Sequence, residues 1–123
     1  MDARTRGASE SDRRRENALT TDGAMFSVGY VVEHRLFDYR GVIFDVDARF
    51  EWSDEWYEQV ARSRPPRDRP WYHVLPDGAQ HTTYVAEQNL EAADPPAPIE
   101  HPLLEHLFDD FRDGRYIVHR NLS

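Results

Sequence analysis

FSVGYVVEHRLFDYRGVIFDVD (Phe26 to Asp47) decides the fold, and PWYHVLPDGAQHTTYVAEQNL (Pro70 to Leu90) supports the same reading. From Val28 the first stretch alternates with period two, so that Val28, Tyr30, Val32, His34 and Leu36 share one face of a strand. Gly41 opens a second run in which Val42, Phe44 and Val46 share a face, and Phe37 to Arg40 is short enough for a hairpin connection. In the other stretch Trp71, His73 and Leu75 alternate with Tyr72 and Val74. Pro76-Asp77-Gly78 is a turn signal, because Pro sets φ and Gly permits φ > 0, and Thr82 to Ala86 completes a second hairpin. Two hairpins of this kind predict a mainly β fold, a small β-barrel.

The segment between the hairpins carries helix signals. Ser53 suits an N-cap, and Asp54 and Glu55 fall in the first turn, where the helix dipole favours acids. Trp52, Trp56 and Val60 recur at four-residue spacing and predict a buried stripe. Arg64-Pro65-Pro66 should end the helix, leaving an Arg-rich loop from Arg62 to Arg69, so the helical insert spans 53–69. After Leu90 the Pro-rich stretch 92–100 reads as a linker. Pro102 as a first helical position and Gly114 as a stop predict a C-terminal helix over 101–116, with Leu103, Leu104, Leu107, Phe108 and Phe111 as its apolar stripe. A helix this short is marginal alone. It must pack on the barrel, on a second copy to give a homo-oligomer, or on another partner. Residues 117–123 form a tail.

Residues 1–24 have scarcely an apolar side chain and are expected to be a disordered N-terminal extension. Met25 stands directly before the β pattern, so the functional chain is expected to begin there. The 123-residue length suits one domain, and 39% hydrophobic content is enough for a core. No apolar run nears the ~18 residues of a membrane span, and the polar N-terminus lacks the apolar core of a secretory signal. Cysteine is absent, which removes disulfides and thiolate chemistry and fits a cytoplasmic protein. The net charge is −8. Five Arg and five acids cancel in residues 1–24, so the remainder, with 10 Arg against 18 acids, carries all of it. An acidic domain works against phosphate attraction.

Chemistry is sparse. There is no Gly-rich phosphate loop, nucleophile elbow or acid/base pair, so neither an enzyme nor a cofactor is expected. Asp45 and Asp47 share a strand face but have no third ligand nearby in sequence. His101 and His106 are five apart and do not share a helical face, so no metal site is expected. Trp71, Tyr72 and His73 could present aromatic surface to a partner, although alternation sends at least one face into the core. Tyr84, Glu87 and Asn89 end the second hairpin beside the barrel mouth and are further candidates for partner contact. Their structural alternatives are a turn cap for Asn89 and an Arg pair for Glu87. Arg62, Arg64, Arg67 and Arg69 make the densest basic patch and are the candidates for phosphate contact if DNA is bound.

The run Phe26-x-x-Gly29-x-x-Val32-x-His34-x-x-Phe37-x-Tyr39-x-Gly41-Val42-Ile43-x-Asp45-x-Asp47 is followed by Pro70-Trp71-Tyr72-His73-Val74 and Tyr84-Val85-Ala86-Glu87-Gln88-Asn89-Leu90. In this order the sequence resembles the HspQ family, also described as hemimethylated-DNA-binding or YccV-like domains. His101-Pro102 through Phe108 and Gly114-x-Tyr116 resemble the family forms that carry a C-terminal helix. The resemblance implies an SH3-like β-barrel over 25–91, in a cytoplasmic heat-shock protein of bacteria. It further implies an adaptor that promotes proteolysis of denatured proteins, the replication initiator among them, and modulates the Lon protease. The partners implied are a Lon-like protease and its denatured substrates. The alternative it implies is recognition of hemimethylated origin DNA.

Overall fold

The computed structural model describes residues 23–61 and 63–118. Nearly all of the expected 1–24 extension, most of the 117–123 tail, and Arg62 therefore lie outside the described residues. The strands are β1 (Val31–His34), β2 (Arg40–Asp47), β3 (Trp71–Pro76), β4 (Thr83–Ala86), β5 (Leu90–Ala92), β6 (Phe108–Arg112) and β7 (Arg115–Val118). Helix α1 (Asp54–Val60) lies between β2 and β3, a 3₁₀ turn (Glu87–Asn89) follows β4, and α2 (Leu104–Leu107) precedes β6. The chain is mainly β. One antiparallel sheet has the order β4-β3-β2-β1-β5, and β6-β7 is a second, two-stranded sheet. Strands β1–β2 and β3–β4 are the two expected hairpins. Strands β4 and β5 end the five-stranded sheet without pairing to each other, so the expected barrel is not closed.

Both faces of the large sheet are buried. Val32, Ile43, Tyr72, Val74, Val85 and Leu90 pack with Phe26 on one face. On the other, Val31, Val42 and Leu75 meet Ala93, Ile99 and Phe108, while Trp71 meets Phe50, Tyr57 and Ala61. Alternation here selects between two cores instead of between core and water. A β-bulge between Ile43 and Asp45 inserts one residue into β2 and reverses its sidedness. Val42 and Phe44 accordingly pack in one core and Val46 in the other, so the single face expected for the three is corrected.

The expected helix over 101–116 is also corrected. It is one turn, α2, followed by the β6–β7 hairpin. Asp113 (φ 53°) and Gly114 (φ 80°) form the turn, the positive pair that a two-residue I′ hairpin requires. The hairpin is fastened to the large sheet by a bond from Tyr116 N to Gly29 O at 2.9 Å and by the bridge Tyr30↔Arg115. Gly29 permits this approach, since a Cβ there would lie 2.2 Å from Tyr116 O. The 92–100 stretch is packed, and the linker expectation does not hold. Ala93 N donates to Val31 O at 3.0 Å, Ile99 is buried, and Glu100 N donates to Asp77 Oδ1 at 2.8 Å.

The insert begins as read, with Ser53 Oγ accepting from Trp56 N at 3.1 Å. Its stripe is different. Trp52 and Val60 are 43% and 52% exposed, and the residues that α1 and its cap bury are Tyr57 and Ala61. Tyr57 packs edge-on to Phe50 and donates its hydroxyl to Pro65 O at 2.6 Å. That anchoring leaves Trp52 and Val60 as an outward row, while Trp56 is partly buried against Phe50, Trp71 and Tyr84 as the stripe expected.

Candidate functional site

The outward row forms one wall of a groove of about 350 Å³. Leu36, Phe37 and Tyr39, from the β1–β2 turn, form the opposite wall, and Thr83 to Ala86 of β4 form the floor. Four large apolar side chains around it are exposed: Leu36, Phe37, Trp52 and Val60. Trp52 stacks on Tyr84, with ring centroids 4.3 Å apart and planes at 16°.

Polar contacts fix both walls. Buried His34 accepts at Nδ1 from Leu36 N and Phe37 N, each at 3.1 Å, and its ring packs against those of Phe37 and Tyr39. Burial lowers the His34 pKa below the usual 6.5, which keeps that acceptor available. The Tyr39 hydroxyl lies 2.8 Å from Thr83 Oγ1 and ties the turn to β4. Tyr84 donates its hydroxyl to Asp47 Oδ2 at 2.7 Å and accepts from Glu51 N at 3.0 Å. Burial, then the Asp47 bond, raises the Tyr84 phenol above its ordinary pKa.

The candidates read from sequence divide sharply. Trp71 and Tyr72 are 1% and 0% exposed and pack in the core, with Trp71 also lining the groove from beneath Tyr84 and Ala86. Glu87 is buried and accepts from Tyr72 Oη at 2.6 Å and Met25 N at 3.0 Å, in place of the expected Arg. Burial first, with the Glu87 bond, raises the Tyr72 pKa. His73 is half-buried. Tyr84 and Asn89 line the groove, and Asn89 Nδ2 donates to Ser63 Oγ at 3.3 Å. The groove's exposed walls, Leu36, Phe37, Trp52 and Val60, were missed. The one available signal was large apolar residues placed in a turn.

The basic patch is dispersed. Arg64 pairs with Glu58 at 2.8 Å, Arg67 pairs with Asp54, and both guanidiniums lie over the Tyr57 ring. Arg69 is exposed and lines a second cavity of about 340 Å³ with Met25, Arg35 and Glu87. Asp45 and Asp47 do acquire a third neighbour. The cross-strand pair Asp45↔His73 brings one ligand atom from each of the three within 4.8 Å of the others. Asp47 Oδ2 lies 3.1 Å from His73 Nε2 and accepts from Tyr84, and Asp45 Oδ1 accepts from Val46 N at 2.9 Å. His101 is a satisfied core histidine, with Nε2 2.9 Å from His81 O and Nδ1 accepting from Leu103 N.

Fold and groove together define a small antiparallel β domain with an apolar cleft at one sheet edge. Residues 24–115 match the family model described as hemimethylated DNA-binding protein YccV like, and the chain belongs to that family. Among the described residues no helix is long and apolar enough to cross a membrane.

Proposed function

We propose that the protein is a stress-response adaptor that holds denatured polypeptide for a Lon-like protease in the cytoplasm. The observation that carries this reading is the groove: exposed Phe37 (71%) and Trp52 (43%) line it together with β4 on a chain of net charge −8. Contiguous apolar surface on a soluble fold marks a site for protein or ligand. The resemblance to HspQ supports the protease connection. The strand order β4-β3-β2-β1-β5, with a 3₁₀ turn before β5, supports reading the sheet as an open SH3-like barrel.

The family description favours a second reading, recognition of hemimethylated DNA. Against it stand the acidic balance and the pairing of Arg64 and Arg67 with Glu58 and Asp54. Degradation of an unfolded substrate by Lon, followed with and without this protein, tests the adaptor. Faster turnover is expected, and loss of the effect in Phe37→Ser. Unchanged turnover, together with binding to hemimethylated duplex, would replace the first reading with the second.

A further inference from the structure

We propose that the outer edge of β4 is a strand-docking site, on which an extended apolar segment with basic flanks, from an unfolded polypeptide, adds as a sixth strand. The inference rests on the adaptor reading and specifies how the substrate is held.

Bonded and non-bonded pairs alternate along an antiparallel ladder. Glu87 N donates to Pro70 O at 3.1 Å, and the register continues Trp71↔Ala86, Tyr72↔Val85, His73↔Tyr84, Val74↔Thr83. Val85 and Thr83 are therefore the β4 residues bonded to β3. Tyr84 turns its N–H and C=O, and Ala86 its N–H, the other way, toward the groove, while the Ala86 C=O accepts the first bond of the 3₁₀ turn Glu87–Asn89. Among the described residues no bond outside the helices and strands reaches Tyr84 N, Tyr84 O or Ala86 N, and β3 is the one ladder partner of β4. Tyr84 and Ala86 are also only 6% and 3% exposed, so water solvates them poorly. Unpaired peptide groups in an apolar cleft favour an occupant that brings its own main chain.

The walls choose the side chains. An added strand sends alternate residues toward opposite faces, and the aromatic walls on both sides of β4 accept apolar ones. Exposed Glu51 and Glu55 flank Trp52, and the domain carries the whole −8, which favours basic flanks. A folded protein keeps its strands paired and has no bare segment to offer. Duplex DNA offers neither an extended peptide nor favourable charge.

Fluorescence anisotropy with the full chain tests this. The probe is a labelled peptide of ~10 residues alternating Leu or Phe with Ser, with Lys at both ends, in an extended form that spans the edge. Two partners of the same sequence carry backbone N-methyl groups, one on the odd residues and one on the even. Strand addition predicts that one methylated set loses about tenfold or more in affinity while the other binds nearly as the parent does, because only alternate N–H groups face β4. Phe37→Ser should weaken the parent peptide with melting temperature unchanged. Equal loss from both methylated sets would overturn strand docking and leave an apolar adaptor groove. No peptide binding alongside tight binding of hemimethylated duplex would remove the adaptor reading itself. A dimer by light scattering that peptide does not dissociate would assign the edge to a second copy and overturn the proposal.

Discussion

At His34 and Tyr72, single buried polar groups set local geometry. His34 fixes the Leu36-Phe37 wall only while Nδ1 is an acceptor, because a protonated ring would turn a donor toward two N–H groups. Its pKa is lowered in the fold from the usual 6.5 by burial, so below about pH 6.5 the unfolded chain takes up a proton that the folded chain resists. The resulting stability is intact above that pH and declines as pH falls. Melting temperature should drop between pH 7 and pH 5, and His34→Asn should flatten the profile, since an Asn oxygen accepts from the same turn without titrating. An identical slope in the variant would remove His34 as the cause. Tyr72 presents a second case: its hydroxyl donates to buried Glu87 and accepts from Met25 N and Phe26 N at 3.0 and 3.2 Å. Tyr72→Phe removes one of the two donors to a buried carboxylate and the acceptor of Met25 N and Phe26 N, and should cost about 1.5–3 kcal/mol in urea unfolding, with the midpoint shifted and the slope unchanged.

Among the elements, the C-terminal hairpin is the most exacting. It covers Val31, Val42 and Leu75, and it approaches the sheet only where Gly29 leaves room. Gly29→Ala would set a Cβ 2.2 Å from a backbone oxygen at φ 98°, whereas Gly78→Ala, at φ 81°, meets nothing within 4 Å. The second should cost about 1 kcal/mol of conformational strain. The first should cost several times more and release β6–β7, read as loss of amide protection across 108–118 in hydrogen exchange. Equal costs would show that the close approach at Gly29 is not the constraint. This hairpin was written in the sequence as Asp113-Gly114, yet the spacing of Leu104, Leu107, Phe108 and Phe111 imitates a helical stripe and hid it. The first two hairpins were legible because their turns are short and their runs alternate. The burial of Trp71 and Tyr72 together was not, because alternation cannot reveal a sheet covered on both faces. Nor could spacing reveal the groove, whose walls come from Leu36-Phe37 and Trp52-Val60 and meet only across β4. His73 beside Asp45 is a product of bulged cross-strand register, which local pattern does not specify.

For the whole molecule, net charge was the most directly legible property, and it separates the two functions. A protein that neutralises 6–10 phosphates loses ~10³–10⁵ in affinity between 50 and 200 mM salt. Here the chain beyond residue 24 carries all of the −8, and its densest Arg cluster is partly neutralised internally: Arg64 by Glu58, Arg67 by Asp54. The Glu58 carboxyl is held below its ordinary pKa first by the Arg64 hydrogen bond and then by its charge, so that pair persists at neutral pH. Any duplex would have to break such pairs or be repelled by the surrounding acids. Binding to hemimethylated duplex is therefore expected to be weak, with a logarithmic salt slope near that of about one or two phosphate contacts. The double variant Arg64→Gln, Arg67→Gln should leave peptide binding in the groove unchanged, since neither side chain lines it. A slope matching many contacts, lost in that variant while peptide affinity also vanishes, would mean that the Arg loop and not the groove governs what this domain holds.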